Sequence, residues 1–142
     1  METINHYPVK QVIILRKDLN YGTQGKKIAQ ACHASMKIFF DRMDESDSMQ
    51  EVDGKLYEAI FTKDMHQWIK GSFAKIILVV PTDKELLELA EEAKQKNFPV
   101  AIIEDDGATV FHGIKTLTAI AIGPVKSELL DEITHKDYVK LL

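Results

Sequence analysis

Four short apolar runs constrain the fold of this chain more strongly than any other feature. They span residues 11–15, 76–80, 99–103 and 116–122, and they are rich in β-branched side chains. Apolar runs of this length, without polar alternation, are typical of strands that are buried on both faces. We therefore expect a sheet of about four strands with helices on both of its faces.

Helical patterns follow three of these four runs. In residues 25–43 the apolar side chains recur every three or four positions, at Ile28, Cys32, Met36, Phe39 and Met43. This spacing predicts an amphipathic helix that buries them against the sheet. Thr82 and Glu85 form a capping box that begins a second helix, while Thr62 and Ser127 are predicted to cap two shorter helices.

The order of these elements predicts a three-layer α/β sandwich in a single domain over residues 1–142. Helical crossovers require parallel strands, whereas the connection from Ile103 to Thr116 is too short for a helix and indicates an antiparallel pair. We therefore expect a mixed but mostly parallel sheet. An acidic insert is predicted at about residues 44–63, and it begins as a loop over residues 44–54.

Charge is distributed unevenly along the chain. Residues 1–42 carry a net charge of +4 and residues 43–66 a net charge of −5, within a total of −4. The local charge of a surface, rather than the total charge of the protein, attracts phosphate groups. The acidic total therefore does not exclude a nucleic-acid partner.

Several other classes of protein are excluded by simple patterns. The longest uncharged run, residues 116–125, is about half as long as a membrane span requires. The first five residues have neither the basic start nor the apolar stretch of a secretory signal. Cys32 is the single cysteine, so no internal disulfide can form, and we expect its thiol to be buried and inert. These patterns predict a cytoplasmic protein without membrane contact.

The segment 18–27, between the first strand and the first helix, is one candidate site. Its glycines allow backbone N–H groups to turn inward beside a helix N-terminus, which suits a phosphate. Polar side chains then share one stripe of the helix, at Lys26, Gln30, His33 and Lys37. A plain strand-to-helix turn and a solvated helix face explain the same patterns, so both alternatives stay open.

A second candidate site is the segment 104–109, Glu-Asp-Asp-Gly-Ala-Thr, directly after the third apolar run. Ligands of open α/β sheets bind at the carboxyl ends of strands, so both segments face one crevice if the first and third strands are parallel. A carboxylate near a lysine can act there as a general base or orient one. The alternative is an Asp-Gly turn without chemistry. The histidines and the cysteine show no metal-ligand spacing, so no metal site is expected.

The chain resembles the type 2 peptidyl-tRNA hydrolase family over residues 10–37 and 68–142. Three motifs carry the resemblance, in this order: Gly25-Lys-x-x-Ala-Gln-x-x-His-Ala34, Asp105-x-Gly-x-Thr109 and Ile122-Gly-Pro124. The resemblance implies a mixed-sheet α/β domain, usually a homodimer. It also implies an enzyme that cleaves the ester between a peptide and tRNA without a metal or another cofactor.

The resemblance further implies roles for individual residues. The family's proposed catalytic residues fall on Lys26, Asp105, Thr109 and Thr118. Substrate-binding candidates are Gly25, Lys27, Gln30, His33, Lys37 and Thr116. Two choices remain open at this point, namely whether Asp105 or His33 is the general base and whether Thr118 or Thr116 is the strand threonine.

Departures from the family's pattern support a second hypothesis. Asp106 adds negative charge beside Asp105, and Val110 replaces a residue that is often Gln. The segment before Lys26 is also one residue longer than usual. A non-catalytic module that binds tRNA or another phosphate ligand is therefore the alternative function.

Overall fold

Strands and helices occupy most of the chain in the computed structural model, which describes residues 7–46, 53–107 and 111–142. The strands are β1 (Val9–Arg16), β2 (Asp44–Ser46), β3 (Leu56–Glu58), β4 (Lys75–Val80), β5 (Val100–Asp105), β6 (Thr116–Lys126) and β7 (Lys140–Leu141). The helices are α1 (Gln24–Phe40), α2 (Lys63–Lys70), α3 (Asp83–Gln95) and α4 (Ser127–Thr134). The four apolar runs correspond to β1, β4, β5 and β6.

The main sheet has five strands in the order β5-β6-β1-β4-β7. Only β1 and β4 pair in parallel, while the other three neighbouring pairs in this sheet are antiparallel. The sheet is thus mixed, as predicted, but the expectation that it is mostly parallel is wrong. The reason is that β6 returns directly from β5 and inserts between β5 and β1, which separates two strands that point the same way.

The insertion of β6 still leaves β1 and β5 with a common direction. Both strands are antiparallel to β6, so both end at the same edge of the sheet. The segments that follow these two strands therefore begin at the same edge of the sheet, as expected from the sequence, with the start of β6 between them. This edge is where the candidate site forms.

Alternate residues of β1 pack into two separate apolar clusters. Val12 and Ile14 join the cluster formed with α3 and α4. Ile13 and Leu15 join the cluster that contains residues of α1 and α2. Because successive strand residues point to opposite faces, the two helix pairs cover opposite faces of the sheet.

The orientation of α1 differs from the prediction. Ile28 and Met36 are 57% and 54% exposed, and Cys32 is exposed as well, although all three were expected to be buried. The face that contacts the sheet instead buries Gln30 and Ala34. Ala34 packs in a cluster that includes alanines of β5 and β6, so small side chains bring the helix close to the sheet.

The helix caps and the acidic insert also differ in part from the predictions. Thr62 and Thr82 cap α2 and α3 as predicted, and Thr82 forms the capping box with Glu85. Ser127 does not cap α4, because its hydroxyl donates instead to the carbonyl of Tyr7. Within the predicted loop, Asp44–Ser46 forms β2, which pairs with β3; residues 47–52 lie outside the described residues.

Candidate active site

A chain of hydrogen bonds joins β6, α1 and β5 at the edge of the sheet. The Thr118 hydroxyl donates to Oε1 of Gln30 at 2.6 Å, and Nε2 of Gln30 donates to Oδ2 of Asp105 at 3.2 Å. Oδ1 of Asp105 accepts from the backbone N–H of Gly107 at 2.7 Å. Three residues selected from the sequence are thus brought together, and the side chain of Gln30 is the link between them.

A β-bulge directs Thr118 toward α1. Ile103 pairs with Ala119 and Glu104 pairs with Leu117, so Thr118 is the extra residue of β6 at this point. Ala119 packs in the cluster under α1, and Thr118 reaches Gln30 on the same helix. Two consecutive side chains therefore point to one face, which regular alternation forbids and a bulge permits.

Gly107 is required by the conformation of the segment after β5. Its φ is +83°, a region that side chains rarely adopt. A Cβ atom there would lie 2.5 Å from the backbone nitrogen of Ile114. The glycine therefore allows close approach of two backbone segments and places its N–H against Asp105.

Tyr21 is a residue of the site that the sequence reasoning missed. Its side chain is 5% exposed, and burial raises the pKa of its phenol. The hydroxyl donates to the carbonyl of Thr118 at 2.6 Å and accepts from the backbone N–H of Arg16 at 2.9 Å. The only signal in the sequence is an aromatic side chain in a glycine-containing segment that is otherwise polar apart from Leu19.

Arg16 holds the same part of β6 through its guanidinium group. One guanidinium nitrogen donates to the carbonyl of Leu117 at 2.9 Å, and two others form bonds of 3.0 Å to the carboxylate of Asp18. The hydrogen bond to Asp18 is the main reason that the pKa of Arg16 is raised above its ordinary value. The start of β6 is thus anchored to the end of β1.

Lys26 and Lys27 lie in the first turn of α1. Lys26 is exposed, and its backbone N–H donates to the side chain of Thr23, which caps the helix. Lys26 precedes Gln30 by four residues, so both side chains are on the same side of the helix. Lys27 is half-buried, with its ammonium 5.9 Å from the ring centroid of Tyr21.

His33, Lys37 and Thr116 do not join the central chain of hydrogen bonds. His33 is exposed, and the ammonium of Lys37 forms an ion pair with Asp41 at 2.8 Å. The hydroxyl of Thr116 donates to the carbonyl of Ile114 at 2.8 Å, while its backbone pairs with Asp105. Thr109 lies outside the described residues, as does Val110.

Two further findings concern only the residues that the structure describes. His, Cys, Asp and Glu side chains in residues 7–46, 53–107 and 111–142 nowhere form a group of three or more that could hold a metal ion. Among these same residues, no helix is both long enough and apolar enough to cross a membrane.

The arrangement can perform acid–base chemistry on a bound water molecule. Both oxygens of the Asp105 carboxylate have fixed donors, and each retains a further lone pair that can accept a hydrogen bond from water. The Lys26 side chain lies on the same side of α1 as Gln30, in the first turn, where the helix dipole adds positive potential. A base and a source of positive potential are the components that ester hydrolysis requires.

Comparisons with known proteins show which family the chain is similar to. A family profile described as peptidyl-tRNA hydrolase PTH2 matches residues 9–140. The peptidyl-tRNA hydrolase of Methanocaldococcus jannaschii is 32% identical over 134 residues, which cover 94% of this chain and 100% of that protein. The peptidyl-tRNA hydrolase of Methanococcus maripaludis strain C6 is 36% identical over 133 residues, which cover 94% of this chain and 98% of that protein.

A solved structure shares the fold at low sequence identity. A protein of unknown function from Agrobacterium tumefaciens strain C58 superimposes with a TM-score of 0.51 and 12% identity. The superposition covers 96% of this chain and 98% of that one, and it concerns the fold alone. The family match over residues 9–140 and the long alignments with curated relatives establish the relationship: the chain belongs to the peptidyl-tRNA hydrolase PTH2 family.

Proposed function

We propose that this protein hydrolyses the ester bond between a peptide, or an N-blocked aminoacyl group, and tRNA, and thereby recycles tRNA. The observation that carries the proposal is the chain of hydrogen bonds from Thr118 through Gln30 to Asp105. It lies at the strand ends where ligands of α/β sheets bind. Family membership supplies the substrate class, since the matching profile is that of peptidyl-tRNA hydrolases.

In this proposal Asp105 activates the attacking water. A carboxylate can only accept hydrogen bonds, so the amide of Gln30 must present its NH₂ group to Asp105. That interaction and the Gly107 N–H fix the carboxylate, and the remaining lone pairs receive a proton from water. His33, the other candidate base, is exposed and makes no contact with this chain of hydrogen bonds, which favours Asp105.

Lys26 supplies positive charge for the developing oxyanion or for the terminal phosphate of tRNA. The side chain is exposed and extends from the first turn of α1, where the helix dipole adds further positive potential. Gly25 and Lys27 belong to the same turn and complete the proposed tRNA-binding end of the helix. Fixed positive groups of this kind stabilise the tetrahedral transition state of acyl transfer.

Thr118 positions another residue of the site and does not bind the substrate directly. Its proton is directed to Oε1 of Gln30, so the hydroxyl positions the amide rather than donating to substrate. Thr109 is retained as a catalytic candidate because of its place in the Asp105-x-Gly-x-Thr109 motif. Thr116, which donates to the carbonyl of Ile114, is retained as a substrate-binding candidate.

The central experiment compares cleavage of N-acetyl-aminoacyl-tRNA by the wild type and by Asp105→Asn. We expect the variant to lose about 10²- to 10⁴-fold in kcat, the usual contribution of a general base, while it still folds. Glu104→Gln is the matched control, because Glu104 is the adjacent carboxylate and pairs with Lys115 instead. We expect this control to retain activity.

Two results would contradict the proposal. If the wild type binds tRNA but leaves the ester intact, the chain is the alternative binding module. If Asp105→Asn cleaves as fast as the wild type, the base lies elsewhere. Neither the geometry nor the relatives favour the binding module over the hydrolase.

The proposal includes a homodimer, which an unpaired apolar surface supports. The outer face of α1, the aromatic end of α2 and the C-terminus surround a groove of about 790 Å³. Its exposed apolar side chains are Ile28, Met36, Phe40, Ile69, Phe73 and Leu142. Contact with a second protein molecule is one recognised role of exposed apolar patches, and a second copy of the chain would cover these side chains. Light scattering on the wild type and on Met36→Glu tests the proposal, because the charged variant is expected to be monomeric.

We also propose that the domain is a three-layer sandwich and that the protein is located in the cytoplasm. The two apolar clusters on opposite faces of the sheet support a three-layer sandwich. Peptidyl-tRNA arises during translation, so we place the protein in the cytoplasm. Localisation of a fluorescently tagged copy of the full chain tests the second point.

A further inference from the structure

We propose that Tyr21 is a positioning residue, which orients Thr118 for catalysis by inserting its hydroxyl between β1 and β6. The inference rests on the proposed function, because it concerns how that site is held in place. Tyr21 lies outside the strands, in the segment between β1 and α1, yet its side chain is almost completely buried. Its ring packs in the cluster between α1 and the sheet.

The hydroxyl of Tyr21 occupies the place of a missing backbone hydrogen bond between β1 and β6. Regular pairing of β1 with β6 ends at Leu15 and Ala119, so Arg16 and Thr118 would form the next pair. Instead, the N–H of Arg16 donates to the phenol at 2.9 Å and the phenol donates to the carbonyl of Thr118 at 2.6 Å. A phenol can accept and donate at once, whereas a phenyl ring can do neither.

The side chain of Arg16 supports the same part of β6. It donates to the carbonyl of Leu117 at 2.9 Å and is itself held by Asp18. The carbonyls of Leu117 and Thr118 are therefore both fixed by groups from β1 and the segment after it. These two residues form the bulge of β6 opposite β5.

The bulge is where a small displacement has the largest effect on the site. Thr118 reaches Gln30 only because the bulge directs two consecutive side chains toward α1. Without the bond from Tyr21, the backbone at Thr118 can relax toward regular alternation, which moves its hydroxyl away from Gln30. Gln30 in turn orients Asp105. Tyr21 thus acts on catalysis through other residues and touches no reacting atom.

The test compares Tyr21→Phe with Tyr138→Phe in the full chain, with N-acetyl-aminoacyl-tRNA as substrate. Tyr138 is a suitable control because it is half-buried in the cluster on the opposite face of the sheet. We expect Tyr21→Phe to lower kcat by about 10- to 100-fold, as small misplacements in active sites do. Its KM should stay within about two-fold of the wild type, because no group that binds tRNA is removed.

The expected result for Tyr138→Phe is an unchanged kcat and KM. A kcat for Tyr21→Phe within about two-fold of the wild type would overturn the proposal. So would a rise in KM at unchanged kcat, since it would assign Tyr21 to substrate binding.

A measurement on the wild type keeps the proposal testable if Tyr21→Phe fails to fold. NMR should detect the phenolic proton of Tyr21 as a slowly exchanging resonance with a nuclear Overhauser effect to Thr118. Rapid exchange with solvent would overturn the inserted hydrogen bond. In a folded Tyr21→Phe variant, the side-chain amide resonances of Gln30 should shift, and unshifted resonances would overturn the positioning role.

The NMR measurements also separate this inference from the proposed function. If the wild type cleaves no ester but the phenolic proton is protected and the Gln30 resonances shift, the proposed hydrolysis fails while the placement of Thr118 by Tyr21 stands. If the wild type cleaves the ester but Tyr21→Phe does so equally fast, the hydrolysis stands and the positioning role fails.

Discussion

The hydroxyl of Thr118 donates to Oε1 of Gln30 at 2.6 Å, and the NH₂ group of the same amide donates to Asp105 at 3.2 Å. The opposite orientation of the amide would place its oxygen against the carboxylate and its NH₂ group against Thr118. The observed orientation satisfies a buried donor and a buried acceptor, and it gives Asp105 a donor. A residue of β6 is thus connected to a residue of β5 through a helix that covers both strands.

The first prediction concerns a substitution that removes the hydrogen bond from Thr118 to Gln30 but keeps the volume of the side chain. Thr118→Val replaces the hydroxyl by a methyl group and leaves Oε1 of Gln30 without its donor. We expect a loss of about 1–3 kcal/mol in the free energy of unfolding, together with a lower kcat, because a buried acceptor is left unsatisfied. Urea denaturation and ester cleavage measure the two effects. Thr118→Ser keeps the donor, and a serine variant as impaired as the valine variant would contradict this explanation.

The second prediction places a charge next to the proposed base. Gln30→Glu keeps the shape of the side chain but replaces the NH₂ group that donates to Asp105 by a carboxylate oxygen, so Asp105 loses a fixed donor and meets a like charge. We expect kcat to fall relative to the wild type, because the carboxylate of Asp105 is no longer held in place. Gln67→Glu, which adds the same charge on α2, serves as the control and should keep the kcat of the wild type in the same ester-cleavage assay. An unchanged kcat for Gln30→Glu would show that the amide does not position Asp105.

The third prediction uses two glycines of one turn as a matched pair. Gly107 and Gly113 both have positive φ, but only at Gly107 would a Cβ atom meet backbone atoms of Ile114. Both alanine variants incur backbone strain, of about 1–3 kcal/mol. Gly107→Ala should be less stable than Gly113→Ala and should also lose kcat, because its N–H moves away from Asp105. Thermal unfolding and ester cleavage measure both differences. Equal effects of the two substitutions would show that the close approach of Gly107 to the backbone of Ile114 affects neither stability nor kcat.

Four strands of the main sheet could be predicted from the sequence because each has a recognisable pattern in its own residues. Each of the four apolar runs is long enough to form a strand that is covered on both faces, and each does. The short strand Lys140–Leu141 has no such signal, because it depends on pairing with β4 rather than on its own residues. The proportion of parallel pairs was mispredicted for the same reason, since the position of β6 between β5 and β1 is a long-range property.

The orientation of α1 shows where periodicity misleads. The stripe that contains Ile28 and Met36 is the more apolar side, but the helix buries Ala34 and Gln30 instead. Close packing against the alanines of the sheet and a polar link to Asp105 determine the buried face. Neither contribution increases the apolar periodicity of the helix.

The candidate site could be predicted in its residue types but not in its connections. Asp105 and Gln30 belong to motifs, Thr118 is implied by the family resemblance, and the structure brings the three together. Thr118 points toward α1 because of a bulge, and the bulge depends on the register between two strands. Tyr21 belongs to the site because its side chain replaces a backbone hydrogen bond, and no sequence pattern predicts such a replacement.

The last prediction concerns stability at alkaline pH. Burial raises the pKa of Tyr21 above its ordinary value near 10, so the unfolded chain releases this proton at a lower pH than the folded protein does. The neutral phenol therefore contributes stability that is complete below about pH 10 and is lost as the pH rises through the higher pKa of the folded state. The pKa of Tyr138 is also raised, mainly by burial and further by Glu88 and Glu92, so it acts with the same sign.

Denaturant unfolding of the wild type, Tyr21→Phe and Tyr138→Phe between about pH 8 and pH 11 checks this prediction. The free energy of unfolding should fall less steeply in each variant than in the wild type, because each lacks one phenol that must ionise. Lysine deprotonation in the same range is common to all three proteins and cancels in the comparison. Tyr21 is the more deeply buried of the two, so Tyr21→Phe should reduce the slope more. Parallel curves for the wild type and Tyr21→Phe would mean that the phenol is not held neutral by the fold.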